Sequence, residues 1–557
     1  MMKFRTLIIA AIAFCTSTGI IAQPKDLQKV GKAVFSLTTF TADGSILSTS
    51  HGVFTSKDGE AISLWKPFVG ADSAIVVDAS GKIHEVDAIM GANEIYDVCK
   101  FRVTGSTTPA SLSARHLSEG EKAWQVGYAL KKPETTALTV KKTEDFMGEY
   151  AFYLFNELVE DHTLGCPIVN QQGEVVALSQ QAATTRDGQA TDARFVNSFA
   201  ITKGIDIGES AYQKTSIRLD MPKDQEEALN LIMLAGGRGD SKNYPKYVVD
   251  FRKLFPTAVE GYSLDAQTAV AQGRFADADV MMKEALEQAD EKDKAHSEYA
   301  RIIYNKILYS PDTLFTEWTL DKALEEAENA YSVKPEPSYR HLQAQIIYSQ
   351  QKYDDAYAMF MNLTSTPIRN SEIFYEAAQC KAQLNARQDE IIALLDSAVE
   401  VCPKPISAMD APYIYARGQA YDNAGQYRKA IVDYYQYDSL MAGRASADFY
   451  YTRYQCEMNM RQYQQALNDI AHAIYLNPAV PEYMLEMATL QLRVNQPENA
   501  LKSCELAEKV NPDLSDIYII RGLAHIQLKQ KSEGLSALEK ARQMGDERAE
   551  ALIEKYK

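Results

Sequence analysis

The feature that most constrains this 557-residue chain is a period of about 34 residues running through its second half. The clearest unit is YIYARGQAYDNAGQYRKAIVDYYQYDSL (413–440), where Gly418, Tyr421, Gly425, Tyr427, Ala430 and Tyr434 keep a small–aromatic spacing. The frame recurs in GRFADADVMMKEAL (273–286), LDKALEEAENAYSVKP (320–335) and KYDDAYAMF (352–360). It continues in QYQQALNDIAHAIYLNP (462–478), PENALKSCELAEKVNP (497–512) and KSEGLSALEKA (531–541). The residue opening the second helix of each unit falls at Ala278, Ala323, Ala356, Ile391, Ala430, Ala466, Ala500 and Gly534, at intervals of 45, 33, 35, 39, 36, 34 and 34. Pro335, Pro403, Pro478 and Pro512 each close a second helix, because a ring that clashes with the preceding turn and lacks an N–H cannot continue one. A single pair of such helices cannot bury its apolar face. Neighbours must stack, and stacking leaves an extended concave surface.

On these residues the region resembles the tetratricopeptide-repeat family over roughly 258–557, about eight units. Residues 222–256 read as a degenerate first pair, giving an array of eight to nine repeats over 222–557, and ERAEALIEKYK (547–557) reads as a capping helix. The resemblance implies an all-α superhelical solenoid whose groove holds proteins or peptides. Tyrosine occurs 32 times against 3 tryptophans, and most tyrosines, Tyr427 and Tyr434 among them, fall on the packing frame. Tyr415, Tyr435, Tyr451 and Tyr483 lie off it, and are the candidate groove contacts.

The first half has a different texture. VFSLTTF (34–40), GVFTS (52–56), AIVVDA (74–79), YDVCKFRV (96–103), KAWQVGYAL (122–130), CPIVN (166–170) and EVVALSQ (174–180) are short β-rich runs. Turn signals separate them at 42–44, 57–59, 80–81 and 172–173. Many short strands with regular turns mean a sandwich or a barrel. The pattern fades over 205–221, which places a β domain at 24–205, a linker at 206–221 and the helical array beyond.

The stretch HGVFTSKDGEAISLWKPFVGADSAIVVDASGKIHEVDAIMGANEIYDVCKFRV (51–103) resembles the start of chymotrypsin-like serine proteases, particularly the HtrA-type branch. LGCPIVNQQGEVVALS (164–179) looks like that family's nucleophile segment, and RFVNSFAI (194–201) like the strand flanking its substrate pocket. The resemblance spans about 30–205 and implies an all-β double barrel. It does not carry the chemistry. In the family's pattern Lys66 stands at the general-base position and Leu164 at the nucleophile, Cys166 replaces the second Gly of G-G-P, and His162 replaces the oxyanion-hole Gly. Of the triad only Asp97 keeps its residue type. Leucine has no nucleophilic atom, and a protonated lysine cannot take a proton from serine. The expectation is a trypsin-like pseudoprotease in which Lys66 and Asp97 approach as an ion pair. The alternative is a peptidase working through unconventional residues such as Cys166, which lies two positions past the nucleophile. His51, His84 and His162 are the nearby imidazoles, none at the base position.

Residues 1–23 have the outline of a secretory signal peptide: Lys3 and Arg5, an apolar Leu7–Phe14 stretch and a small residue before Gln23. The apolar run is too short to span a bilayer, which takes about 20 residues. Phe14 stands where a lipoprotein signal needs a small residue, which argues against lipid anchoring at Cys15. The mature chain is therefore expected outside the cytoplasm, in the periplasm, with possible association to the envelope and no transmembrane segment. Six cysteines survive cleavage (Cys99, Cys166, Cys380, Cys402, Cys456, Cys504) and none forms C-x-x-C, so neither a zinc site nor a redox motif is indicated. The last four read as small buried hydrophobes. No metal or cofactor is expected. The balance of 58 Lys+Arg against 75 Asp+Glu, net −17, argues against nucleic acid. The leading reading is a non-catalytic scaffold or adaptor that binds proteins or peptides. In a third reading the barrels merely cap the helices.

Overall fold

The computed structural model of the chain describes residue 24 and residues 27–146, 150–182, 187–199, 211–310 and 315–557. The signal segment 1–23, with Cys15, lies outside the described residues. The chain divides into two compact units, Met1–Thr268 and Ala269–Lys557.

The first unit carries two closed, antiparallel, six-stranded barrels. Strands β1 (Val34–Phe40), β2 (Ile46–Phe54), β3 (Glu60–Ser63), β4 (Ser73–Val77), β5 (Ile83–Asn93) and β6 (Val98–Val103) close the first in the order β1-β2-β3-β6-β5-β4. Strands β7 (Lys122–Val126), β8 (Thr135–Phe146), β9 (Tyr150–Phe155), β10 (Pro167–Val169), β11 (Val175–Gln180) and β12 (Gly188–Asp192) close the second in the order β10-β11-β12-β9-β8-β7. Alternation along the strands sorts the side chains. Phe35, Leu37, Phe54, Ala61 and Phe101 fill the first barrel, and Leu138, Val140, Tyr153, Phe155 and Ile168 the second. The opposite faces of the same strands send Val34, Val53, Ile62 and Val98 into a third core with Trp124, Val126, Val169 and Leu178. That third core is the seam between the barrels. Strands buried on both faces read as unbroken apolar runs, which is why the first half shows so little clean alternation.

The linker expected over 206–221 is corrected over its described part. Ile217, Leu219 and Met221 are buried, Leu219 bridges to Ile89 of β5, and the Leu219 N–H donates to the Tyr247 hydroxyl at 2.8 Å. The helices Gln225–Gly237 and Tyr244–Leu254, expected as a degenerate first repeat, bury Leu231, Ile232, Tyr247, Val248 and Phe251 in one core with Trp65, Phe68 and Phe101 of the first barrel. Arg218 fixes the junction, its guanidinium meeting Asp87 at 2.7 Å and Asp250 at 2.5 Å. A helix goes where its apolar face finds cover, and this pair finds it on the barrel.

The second unit is an all-α solenoid. Helix pairs run Lys292–Tyr309 with Leu320–Val333, Pro337–Ser349 with Tyr353–Leu363, Ser371–Gln383 with Gln388–Glu400 and Ala411–Asn423 with Tyr427–Met441. They continue Ala447–Asn459 with Tyr463–Leu476, Pro481–Arg493 with Pro497–Val510 and Ser515–Gln527 with Lys531–Gln543, and Arg548–Tyr556 ends the chain. The frame alanines 278, 323, 356, 430, 466 and 500 are all 0% exposed: a small residue there lets paired helices approach closely. At Gly418 an added Cβ would sit 2.8 Å from the Tyr434 ring. Within each pair from Pro337–Ser349 with Tyr353–Leu363 onward, the turn joining the two helices holds one left-handed residue: Gln351, Asn385, Gly425, Arg461, Asn495 and Lys529. The four closing prolines follow helix ends at Val333, Glu400, Leu476 and Val510. The six cysteines are buried and unpaired. No helix among the described residues is long and apolar enough to cross a membrane.

Candidate functional site

The residues expected at the three triad positions, Lys66, Asp97 and Leu164, lie on or beside short turns at the ends of strands. After β3, a 3-10 turn (Lys66–Phe68) carries Pro67 as its second residue and is flanked by the buried Trp65 and Phe68. Lys66 is left projecting, its side chain 80% exposed. Asp97 lies between β5 and β6 in a left-handed conformation, φ +54°. Its Oδ1 accepts the Lys66 backbone N–H at 2.8 Å, and Lys66 Nζ stands 3.8 Å from Oδ2. The two residues therefore meet as expected, but chiefly through the amide. Burial pushes the Asp97 carboxyl up, opposed by that N–H and by the Lys66 charge.

Leu164 follows the 3-10 turn Asp161–Thr163 of the second barrel. Its carbonyl accepts the His51 N–H of β2 at 2.9 Å, and its side chain is partly buried against the seam core. Gly165 has φ +80°, and a Cβ there would fall 2.2 Å from the His51 carbonyl oxygen. The segment lies flush on the first barrel. The Cys166 sulfur, weighed above as a substitute nucleophile, is buried at 1% exposure, and burial pushes its thiol up to about 12. A thiol so placed stays protonated at neutral pH and offers no thiolate.

The three imidazoles are kept apart in their roles. His84 is 2% exposed, with Nδ1 2.7 Å from the Thr104 carbonyl and Nε2 3.3 Å from Asp78: a satisfied core histidine. His162 is 66% exposed beside Glu160 at 3.1 Å. The His51 ring sits 5.8 Å from that of Tyr128, and its pKa is lowered by burial and by His162, against the raising effect of its hydrogen bond with Leu164.

Sequence reasoning missed what fills the seam. Tyr96 and Phe195 stand 3.9 Å apart between ring centroids, Tyr150 and Phe195 4.4 Å, and Phe195 and Phe199 5.3 Å. The segment read as a pocket-flanking strand is, over Ala193–Ser198, a 3-10 helix that delivers Phe195 into this cluster. The aromatic residues of RFVNSFAI were the available signal, but positions 96, 150 and 195 are too far apart in sequence to announce a cluster.

Of the four candidate groove tyrosines, only Tyr451 and Tyr483 are brought together, at 5.0 Å. Tyr483 is corrected to a core residue: it is 6% exposed and its hydroxyl donates to Asp448 at 2.7 Å. Tyr415 packs on Tyr437 and Phe449 at 4.9 and 5.7 Å. Tyr435 lies on a second helix, its hydroxyl committed to Glu457 at 2.9 Å under the Arg453 guanidinium. A cavity of ≈ 500 Å³ is lined instead by Tyr304, Tyr309, Tyr348, Tyr375 and Glu376. Among the described residues no group of His, Cys, Asp and Glu is placed to hold a metal ion.

Fold and seam together define a tandem antiparallel double barrel carrying an α-solenoid. No protein-family model matches the chain. Among solved structures it is similar to the serine endoprotease from Yersinia pestis, at 16% identity over 31% of this chain and a TM-score of 0.27. The match spans 62% of that protease's chain, less than two thirds of its length.

Proposed function

We propose that the chain is a secreted, periplasmic scaffold that binds proteins or peptides and hydrolyses none. In this reading the first unit is a chymotrypsin-like pseudoprotease, and the second a tetratricopeptide-type array whose groove holds the partner. One observation carries it: the Leu164-Gly165 backbone is seated on β2 through the His51 amide, with a Cβ at Gly165 falling 2.2 Å from the His51 carbonyl oxygen, and residue 164 is a leucine without a nucleophilic atom while the Cys166 sulfur is buried. Attack by a nucleophile needs reacting atoms within about 3–3.5 Å in open alignment. The seam instead holds Leu164 and the Tyr96–Phe195–Tyr150 aromatic cluster.

The signal-like residues 1–23 support export, and the acidic balance gives no support to nucleic acid as partner. The test is capture from an envelope extract with the full chain and with a chain lacking 269–557. Partners retained by the first and lost by the second are the expected result; equal recovery by both would refute the assignment of binding to the helices.

A further inference from the structure

We propose that the cavity formed by Tyr304, Tyr309, Tyr348 and Tyr375, with Glu376 as its charged group, receives one lysine or arginine side chain of a partner peptide. The inference deepens the reading of the helical unit as a peptide-binding array and rests on it. The ≈ 500 Å³ cavity lies among the helices Lys292–Tyr309, Pro337–Ser349, Tyr353–Leu363 and Ser371–Gln383, and it is wide enough for one long side chain with its flanking backbone. Its lining holds four phenol rings and one carboxylate, with no lysine or arginine. Aromatic faces attract a cation through the ring quadrupole, and a carboxylate in the same cup supplies the opposite charge. An acidic occupant would find no lysine or arginine in the lining to receive it. A purely apolar one would strip water from that carboxylate without replacing the lost bonds.

The carboxylate is set in place before any ligand arrives. Glu376 Oε1 accepts the Gln345 side-chain amide at 2.7 Å, and Oε2 stands 2.5 Å from His341 Nε2. Its side chain is 19% exposed, so it is held but reachable. A carboxylate has about four acceptor sites, which leaves room for an incoming ammonium or guanidinium. Tyr304 is fixed likewise, its hydroxyl donating to the Gln345 carbonyl at 3.2 Å and lying 3.0 Å from Ser349 Oγ. Preset groups lose little entropy on binding. Tyr309 at the rim is 79% exposed, a ring this large left in water beside the cup. The carboxamides of Asn305, Gln345 and Gln379 share the lining; each offers both donor and acceptor, which suits the N–H and C=O groups of an extended peptide. The chain's net charge of −17 also draws basic partners.

The test is titration of chain 24–557, by ligand-observed NMR, with acetylated and amidated Ala-Ala-Lys-Ala-Ala and with its norleucine twin, which keeps the stem and removes the charge. The lysine peptide is expected to bind about tenfold more tightly than the norleucine peptide. Glu376→Gln should abolish that preference, bringing the lysine peptide's affinity down to that of the norleucine peptide. Tyr309→Ala, at an exposed position that folding does not need, should weaken the lysine peptide by about three- to tenfold. Equal binding of the two peptides overturns the proposal, as does a lysine preference untouched by both variants, or no lysine-peptide binding up to ~1 mM. A preference that survives Glu376→Gln but falls with Tyr415→Ala would place a cation site elsewhere on the helices, sinking the cup while sparing the scaffold reading. Loss of partner capture on deleting 269–557 judges that reading separately.

Discussion

Gly165 and Glu457 show how single residues fix what each unit can do. At Gly165 a side chain has nowhere to go: φ is +80° and the His51 carbonyl oxygen lies 2.2 Å from where Cβ would be. Left-handed strain and overpacking each cost roughly 1–3 kcal/mol. Gly165→Ala should therefore lower stability by about 3 kcal/mol, read from the midpoint of urea unfolding at unchanged slope. Glu457 is fully buried, with its hydroxyl donor Tyr435 at 2.9 Å and Asp469 nearby on the facing helix. Burial first, then the Asp469 charge, pushes its carboxyl up to about 7. A carboxyl raised in the folded state holds a proton that the unfolded chain has already released. Stability is then full below the ordinary glutamate range and declines as pH rises toward 7. The loss should be on the order of 2 kcal/mol between about pH 5 and pH 7.5, and Glu457→Gln should flatten that slope in unfolding titrations. An unchanged slope would mean that Arg453, bidentate to Asp469 at 2.6 and 2.8 Å, already neutralises the pair.

At the scale of elements, the pair Gln225–Gly237 and Tyr244–Leu254 decides where the first unit ends. Phe251 is 0% exposed in a core shared with Trp65 and Phe101, so Phe251→Ala should cost about 3–5 kcal/mol and lower the unfolding temperature of the barrels. A fragment 24–268 should unfold cooperatively, whereas 24–221 should expose the first barrel's outer core and bind a hydrophobic dye; comparable cooperative melts for both fragments would disprove the shared core. The sequence made the solenoid legible because one frame repeats: a residue opening each second helix, small at all positions but Ile391, recurs at intervals of 33–45, a signal that local chemistry carries by itself. The β half was legible in part. Runs such as VFSLTTF became β1 unchanged. β5 escaped notice because register shifts between Val86 and Ala88 and between Ile89 and Gly91 break its period of two. β12, GQATD, has no large apolar residue to announce it, and β3 is only 4 residues long. Lys66, Asp97 and Leu164 could each be proposed as a triad position because each sits in a local motif. The aromatic seam was not, because Tyr96, Tyr150 and Phe195 converge only when two barrels close.

At the scale of the whole molecule, two architectures divide the work proposed here. In that proposal the barrels hold Lys66, Asp97 and Leu164 at the positions where a protease would place its chemistry, and the helices offer the surface for partners. The central claim is that binding is not followed by cleavage. The most direct measurement incubates the full chain with a partner it captures and records the partner's intact mass and new N-termini over time. Unchanged mass and no new terminus are expected, both for the native chain and for Cys166→Ser. A new terminus that accumulates with the native chain and stops with Cys166→Ser would contradict the claim.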